Sequence, residues 1–229
     1  MEYLHNGFTL SLCDSGFALS TDSIALSGFV RLPRQATVLD LGSGCGTLGL
    51  LLCANDPSCV VTGVEINEEA HKMALHNAEA NGITTRLSSI CADLKTIPTF
   101  LKPGSFQCCV SNPPYFSAGF LSKTHAVARH EETCSLESLF QSAAWALKFG
   151  GDFFLVHKPE RLAELCSCAT LHKLEPKRLL LLRHHPGSPI SLILMQCRKG
   201  AKPGLIIEEE CLQTQSGEPS DYYRRLYHI

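Results

Sequence analysis

Short apolar runs alternate with longer stretches of helical period along most of this chain. The runs at 37–41, 59–65, 86–91, 106–111 and 152–157 are brief, largely apolar and bounded by turn residues. Such runs mark strands buried on both faces. Helical patterns fill the spaces at 46–54, 67–81 and 135–149, and a further one follows at 159–169. The second helix has Asn67 as its cap and Asn81-Gly82 as its stop. The third ends at Gly150-Gly151, and the last carries Pro159 in its first turn. Strand–helix alternation predicts a parallel sheet with helices on both faces. The runs at 174–183 and 188–197 have no helix between them, only the turn His184-His185-Pro186-Gly187. That pair is predicted to be antiparallel. The expectation is an α/β, doubly wound sheet of seven strands, mostly parallel, with an antiparallel hairpin near its end. One domain is expected over 1–229: an N-terminal cap and helix at 1–36, a core at 37–157, and a hairpin and tail at 158–229.

Composition narrows the class without changing that picture. A chain of 229 residues with 45% hydrophobic and 18% charged residues is ordinary for a globular α/β protein. No apolar run approaches the roughly 18–20 residues of a membrane helix. The start, Met1-Glu2-Tyr3-Leu4-His5, lacks the basic and apolar regions of a signal peptide. The expectation is a cytoplasmic protein with no membrane partner. Twelve cysteines raise disulfides and metal, but no CxxC pair occurs. Cys166 and Cys168 have no second pair or histidine at zinc spacing, and seven others lie in or beside apolar segments. Reduced structural thiols and no metal are expected. Net charge is −2, yet residues 156–202 hold nine Lys and Arg against three Glu, a local +6. Such a stripe either contacts phosphates or forms a solvated face.

Candidate chemistry collects at strand ends. Gly42, Gly44 and Gly46 join the first strand to its helix, where glycines allow close backbone approach by a ligand. The spacing is GxGxG, because Thr47 stands where the dinucleotide fingerprint has its third glycine. Glu65 ends the next strand, placed to accept both hydroxyls of a ribose. Asp93 follows the third strand, placed to accept from an adenine amino group. Each has a plain structural use as well: tight packing, a surface charge, a turn cap. On successive strands of one sheet they favour a ligand containing adenosine. Asn112-Pro113-Pro114-Tyr115 follows the fourth strand. Proline cannot extend a ladder, so Asn112 and Tyr115 are presented at the strand's carboxyl end. An amide, a rigid carbonyl and a flat ring make a clamp for a planar molecule bearing NH2.

The set of GxGxG, Glu65, Asp93 and Asn-Pro-Pro-Tyr resembles the class I S-adenosylmethionine-dependent methyltransferases that act on amino groups. That resemblance implies a Rossmann-like sheet whose last hairpin is antiparallel. Further motifs are similar to the bacterial tRNA1(Val) adenine N6-methyltransferase family. They are Ser20-Thr21-Asp22-Ser23-Ile24-Ala25-Leu26, Asn112 through Phe116, Ala128-Arg129-His130-Glu131, His157 through Leu162, and Glu175-Pro176-Lys177-Arg178-Leu179.

The resemblance implies S-adenosyl-L-methionine as cofactor. Its amino-acid end would meet Asp40, Gly42, Thr21 and Asp22, its ribose Glu65 and its adenine Asp93. Gly44, Gly46 and Asn112 complete the cofactor residues. Asn112 and Pro113 would hold the target nitrogen and Tyr115 would stack on the base. Pro114, Phe116, Arg129 and His130 would line the substrate site, and Lys177 and Arg178 would touch RNA. The implied reaction is methylation of the exocyclic N6 of a tRNA adenine, an anticodon-loop adenine of a valine tRNA. Guanine N2 in RNA and a protein glutamine remain alternatives, because each offers a conjugated NH2. A noncatalytic RNA-binding protein that retains the cofactor fold is a more distant one.

Overall fold

The computed structural model describes residues 1–13, 19–115 and 135–229. A two-stranded ribbon, β1 (Glu2–Tyr3) and β2 (Thr9–Leu10), precedes α1 (Thr21–Phe29). Then come β3 (Thr37–Leu41), α2 (Thr47–Asn55), β4 (Val60–Glu65), α3 (Glu68–Ala80), β5 (Leu87–Cys91), α4 (Ile97–Phe100) and β6 (Phe106–Ser111). The last third contains α5 (Leu136–Ala146), β7 (Leu147–His157), α6 (Leu162–Leu171), β8 (Leu174–Arg183), β9 (Ile190–Lys199), β10 (Ile206–Cys211) and α7 (Asp221–Tyr227).

The main sheet runs β10-β8-β9-β7-β6-β3-β4-β5. Strands β7, β6, β3, β4 and β5 are parallel, while β9 is antiparallel to both β7 and β8. All seven predicted strands are present, and the side chains of all but β5, at the sheet edge, alternate between two cores. Val38, Phe154, Val156, Leu180 and Leu194 face one core, which α1, α2 and Leu226 of α7 cover. Leu39, Phe153, Leu155, Leu179 and Met195 face the other, under α5 and α6. Burial on both faces is why these strands read as unbroken apolar runs.

Two expectations are corrected. The sheet has eight strands, not seven, because β10 adds itself parallel to β8 at the edge. Ile206 and Ile207 are exposed, and Glu208, Glu209 and Glu210 form ion pairs with Arg178 (2.9 Å), Arg183 (2.6 Å) and Arg225 (3.2 Å). A charged edge strand lacks the apolar signature of a central one. The helix expected over 135–149 stops at Ala146, because Leu147 already pairs with Phe106 in the sheet. The Lys199 ammonium donates to the carbonyls of Ala144 (2.6 Å) and Leu147 (2.7 Å), satisfying groups that a helix end leaves open.

Candidate functional site

Chain order reverses beside β3: β4 and β5 lie on one side, β6 and β7 on the other. Ligands of open α/β sheets bind outside the carboxyl ends of strands at such a switch point. A cavity of about 420 Å³ lies there. The start of α1, the end of β3 with its glycine turn, the start of α2 and the segment 112–115 line it.

The glycine turn follows from local geometry. Gly42, Gly44 and Gly46 have φ of 74°, 53° and 80°, where a side chain is strained. The Gly42 and Ser43 amides donate to the Val64 carbonyl at 2.9 and 3.2 Å, tying the turn to β4. A side chain added at Gly42 or Gly44 would meet nothing within 4 Å, so the backbone borders open space. Gly46 instead packs near Ala74, and Gly63 of β4 lets Ser43 pass: a Cβ at 63 would lie 2.5 Å from Ser43 Oγ.

Asp40 ends up 2% exposed on the cavity floor. Burial and then the Glu65 charge push its carboxyl up to about 7, against a backbone hydrogen bond at Gly49 that lowers it. Its Oδ2 has no hydrogen-bond partner among the described residues. A buried acceptor left open at a cavity wall suits a ligand that brings a donor, above all a cationic one.

Glu65 and Asp93 are both used within the fold. Glu65 accepts from the Gly44 amide through Oε2 and from the Asn67 amide through Oε1, each at 2.8 Å. Asp93 accepts from the Lys95 amide at 2.9 Å and so starts a short helical turn. Neither residue lines the cavity, nor do Gly46 and Thr21; the Thr21 hydroxyl lies 3.3 Å from that of Tyr227. Asp22, Asp40, Gly42, Gly44 and Asn112 do line it. Ser20, Ser23, Ser43, Cys45, Thr47 and Leu48 join them as lining residues that the sequence reasoning missed. Adjacency to Asp22 and to the glycines was the available signal.

Asn112 is held at both ends of its amide. Its Nδ2 donates to Ser23 Oγ at 2.9 Å, and its Oδ1 accepts from the Tyr115 hydroxyl at 3.1 Å. Burial, with the neighbouring Asp22 carboxylate, pushes the Tyr115 phenol far up, so it stays protonated. The His157 and Tyr115 rings meet in a T-shaped contact, centroids 5.1 Å apart, and Lys158 Nζ lies 5.0 Å from the centre of the Tyr115 ring. His157 is 1% exposed, and its Nδ1 accepts from the Lys158 amide at 2.8 Å. Burial, then Arg161, lowers its pKa to about 4, so the imidazole is neutral with its proton on Nε2. Pro113 and Pro114 complete this wall. Phe116, Arg129 and His130 lie outside the described residues.

Most of the basic stripe is engaged internally. Arg178 pairs with Glu208 at 2.9 Å and lies 4.4 Å from the centre of the Phe29 ring, while Lys177 Nζ donates to the Lys202 carbonyl at 3.1 Å. Arg161, Arg183 and Arg198 pair with Glu164, Glu209 and Asp152. Lys173 and Lys202 form no ion pair among the described residues.

Comparison with known proteins agrees with this geometry. The sequence model of the methyltransferase small domain matches residues 15–165. A Porphyromonas gingivalis protein named tRNA1(Val) (adenine(37)-N6)-methyltransferase is 31% identical over 199 residues, 83% of this chain and 78% of that protein. A Photobacterium profundum protein of the same name is 26% identical over 185 residues, 79% of this chain and 77% of its own length. In fold, the chain is similar to a crystal structure from Agrobacterium tumefaciens described as a predicted O-methyltransferase. The TM-score is 0.76 at 20% identity, over 91% of this chain and 96% of that one.

Proposed function

The chain belongs to the methyltransferase small domain family, and on that premise we propose that it transfers a methyl group from S-adenosyl-L-methionine to the exocyclic N6 of an adenine in tRNA. The fixed Asn112 amide carries the reading. It lines the cavity with its nitrogen bound to Ser23 and its oxygen on the Tyr115 hydroxyl, which leaves the oxygen a second lone pair.

The cavity suits the cofactor. Its volume lies in the range of small-molecule sites, about 300–1,000 Å³. Gly42 and Gly44 leave their side-chain space empty, and an ammonium would supply the partner that the open oxygen of Asp40 lacks among the described residues. Asp22 and Asp40 would hold that end, and the glycine turn would border the remainder. Glu65 already bonds Gly44 and Asn67, so its contribution would include fixing the turn. When bound, the cofactor supplies a sulfonium methyl that is already activated. The chain's own task is then to aim the nucleophile. Asn112 Oδ1 and the Pro113 carbonyl would each accept one N–H of the target amine, turning its lone pair toward the donor. Alignment of this kind supplies rate by proximity, and the two acceptors favour the positive charge that develops on nitrogen. The Tyr115 ring would meet the base; stacking of a base on an aromatic ring is worth about 1–3 kcal/mol. The proton leaves to water after transfer, so no strong base is required.

The tRNA substrate, an anticodon-loop adenine of a valine tRNA, rests on the names of the relatives. An unpaired loop base costs less to present than one taken from a duplex. No helix among the described residues is long and apolar enough to cross a membrane, in keeping with an enzyme that meets tRNA in the cytoplasm. The test is methyl transfer from labelled S-adenosyl-L-methionine to unmodified tRNA, followed by mass spectrometry of the nucleosides. N6-methyladenosine is the expected product. N2-methylguanosine, or label only in protein glutamine, would replace the adenine reading. Asn112→Ala should lose turnover by at least about a hundredfold, the cost of one preorganised polar contact, while titration calorimetry still shows cofactor binding. Unchanged turnover would remove the clamp from the mechanism.

A further inference from the structure

We infer that Ser23 is a positioning residue for methyl transfer, acting through Asn112; the inference rests on the proposed clamp. An asparagine amide is attached through a broad torsion, so its own rotamer does not fix where the oxygen points. Something outside the residue must do so. In this fold the task falls to α1, 89 residues away in sequence. Ser23 is 7% exposed and one of its surfaces borders the cavity. Its hydroxyl accepts from Asn112 Nδ2 at 2.9 Å.

The serine is itself held. Ser20 caps α1, and its Oγ accepts from the Ser23 amide at 3.4 Å. The helix is braced behind by α7, where Leu226 packs against Gly28 and the Tyr227 hydroxyl meets that of Thr21. The anchor for Asn112 is therefore a buried hydroxyl on a helix pressed between the sheet and the tail.

Tyr115 holds the other end of the amide, yet its hydroxyl also has Asp22 within hydrogen-bonding reach. With a second acceptor available, the phenol alone leaves the amide loosely tied. Ser23 removes that freedom from the nitrogen end. Without its hydroxyl, Nδ2 becomes a part-buried donor with no partner in the wall. The amide then turns to satisfy it, taking Oδ1 away from the target nitrogen. A misplacement of about 1 Å can cost on the order of a hundredfold in rate.

Ser23→Ala is a mild change for the helix, because alanine is the better helix former. The experiment compares wild type, Ser23→Ala, Ser23→Thr, Asn112→Ala and Ser23→Ala/Asn112→Ala in the tRNA methylation assay, with cofactor affinity by titration calorimetry. Ser23→Ala is expected to lower kcat about 10- to 100-fold with cofactor Kd within about twofold, and Ser23→Thr to recover most of the loss. The double variant is expected to be no slower than Asn112→Ala, since Ser23 acts only through that amide. Wild-type kcat in Ser23→Ala overturns the inference, as does an equal loss in Ala and Thr or a loss that adds to that of Asn112→Ala. If Asn112→Ala itself turns over normally, the clamp fails and Ser23 with it. If Asn112→Ala is slow but Ser23→Ala is not, the clamp stands and only the inference falls.

Discussion

Cofactor affinity is expected to rise with pH through a window set by Asp40. In the free protein its carboxyl is raised from 3.8 to about 7, by burial first and by the Glu65 charge second. At pH 6 it is therefore mostly protonated. A ligand that places an ammonium beside it favours the ionised form, so binding releases a proton. If the carboxyl is fully ionised in the complex, affinity is reduced by about elevenfold at pH 6 and about 1.3-fold at pH 7.5. The difference is about eightfold, or roughly 1.2 kcal/mol. Calorimetric titration with S-adenosyl-L-homocysteine, in two buffers of different ionisation enthalpy, reads both the affinity and the released proton. Asp40→Asn should bind more weakly and lose the slope. Affinity that stays flat or falls from pH 6 to 7.5, or a slope that survives in Asp40→Asn, would refute the reasoning. The free protein carries the opposite sign. A carboxyl with a raised folded-state pKa stabilises below its unfolded value, and that stability is lost as pH rises from about 4 to about 7. Asp40→Asn should accordingly melt higher than wild type at pH 8 without ligand.

Other positions give further tests. Gly63→Ala would place a Cβ 2.5 Å from Ser43 Oγ and 2.8 Å from Ser43 Cβ. The glycine turn must then shift, and cofactor affinity should fall by tenfold or more while the fold survives by circular dichroism; an unchanged Kd would count against the turn's role. Arg178→Ala should cost about 1–2 kcal/mol of stability, since it removes an ion pair with Glu208 and a stacked contact on Phe29. It should leave the KM for tRNA within about twofold. A large rise in KM with unchanged melting would return Arg178 to the RNA surface.

Physical context decides which parts of this molecule are legible in its sequence. The central strands were, because burial on both faces forces continuous apolar runs and the turns between them carry their own residues. The strand end before Asn112 was, because two prolines must end a strand. Strand β10 was not: an edge strand is satisfied on one side only, and its glutamates answer arginines on neighbouring elements. The same kind of pair accounts for the arginines of the basic stripe. Arg178 and Glu208 are 30 residues apart and Arg198 and Asp152 are 46 apart, so a window of local charge counts the cations without their partners. Ser23 shows the same limit within the site. Serine near a helix start reads as capping, and only the closed fold brings it to an asparagine on β6's far end. Glu65 and Asp93 were rightly noticed at strand ends, but position alone does not reveal that each carboxylate already serves backbone amides.

The buried Asp40 carboxyl beside the glycine turn and the uncharged rings of the Tyr115 wall suit a cationic donor paired with a neutral acceptor. Asp40 lies beside the glycine turn, with Glu65 close enough to raise it further, while Asp22 lies within reach of the Tyr115 hydroxyl. Like charges brought together under low exposure repel and lose hydration, so the free protein holds the Asp40 carboxyl at a cost. A ligand with positive charge relieves both terms at once, whereas an anionic one would worsen them. In the Tyr115 wall the rings themselves are uncharged. Tyr115 stays protonated and His157 stays neutral, each because burial opposes its ionised form. The Lys158 ammonium lies over the ring. A flat neutral group can enter there without losing charge–charge interactions, beside Asn112. On the proposed function, the same burial that raises Asp40 and lowers His157 would send the cation to the glycine turn and the planar amine to the proline wall.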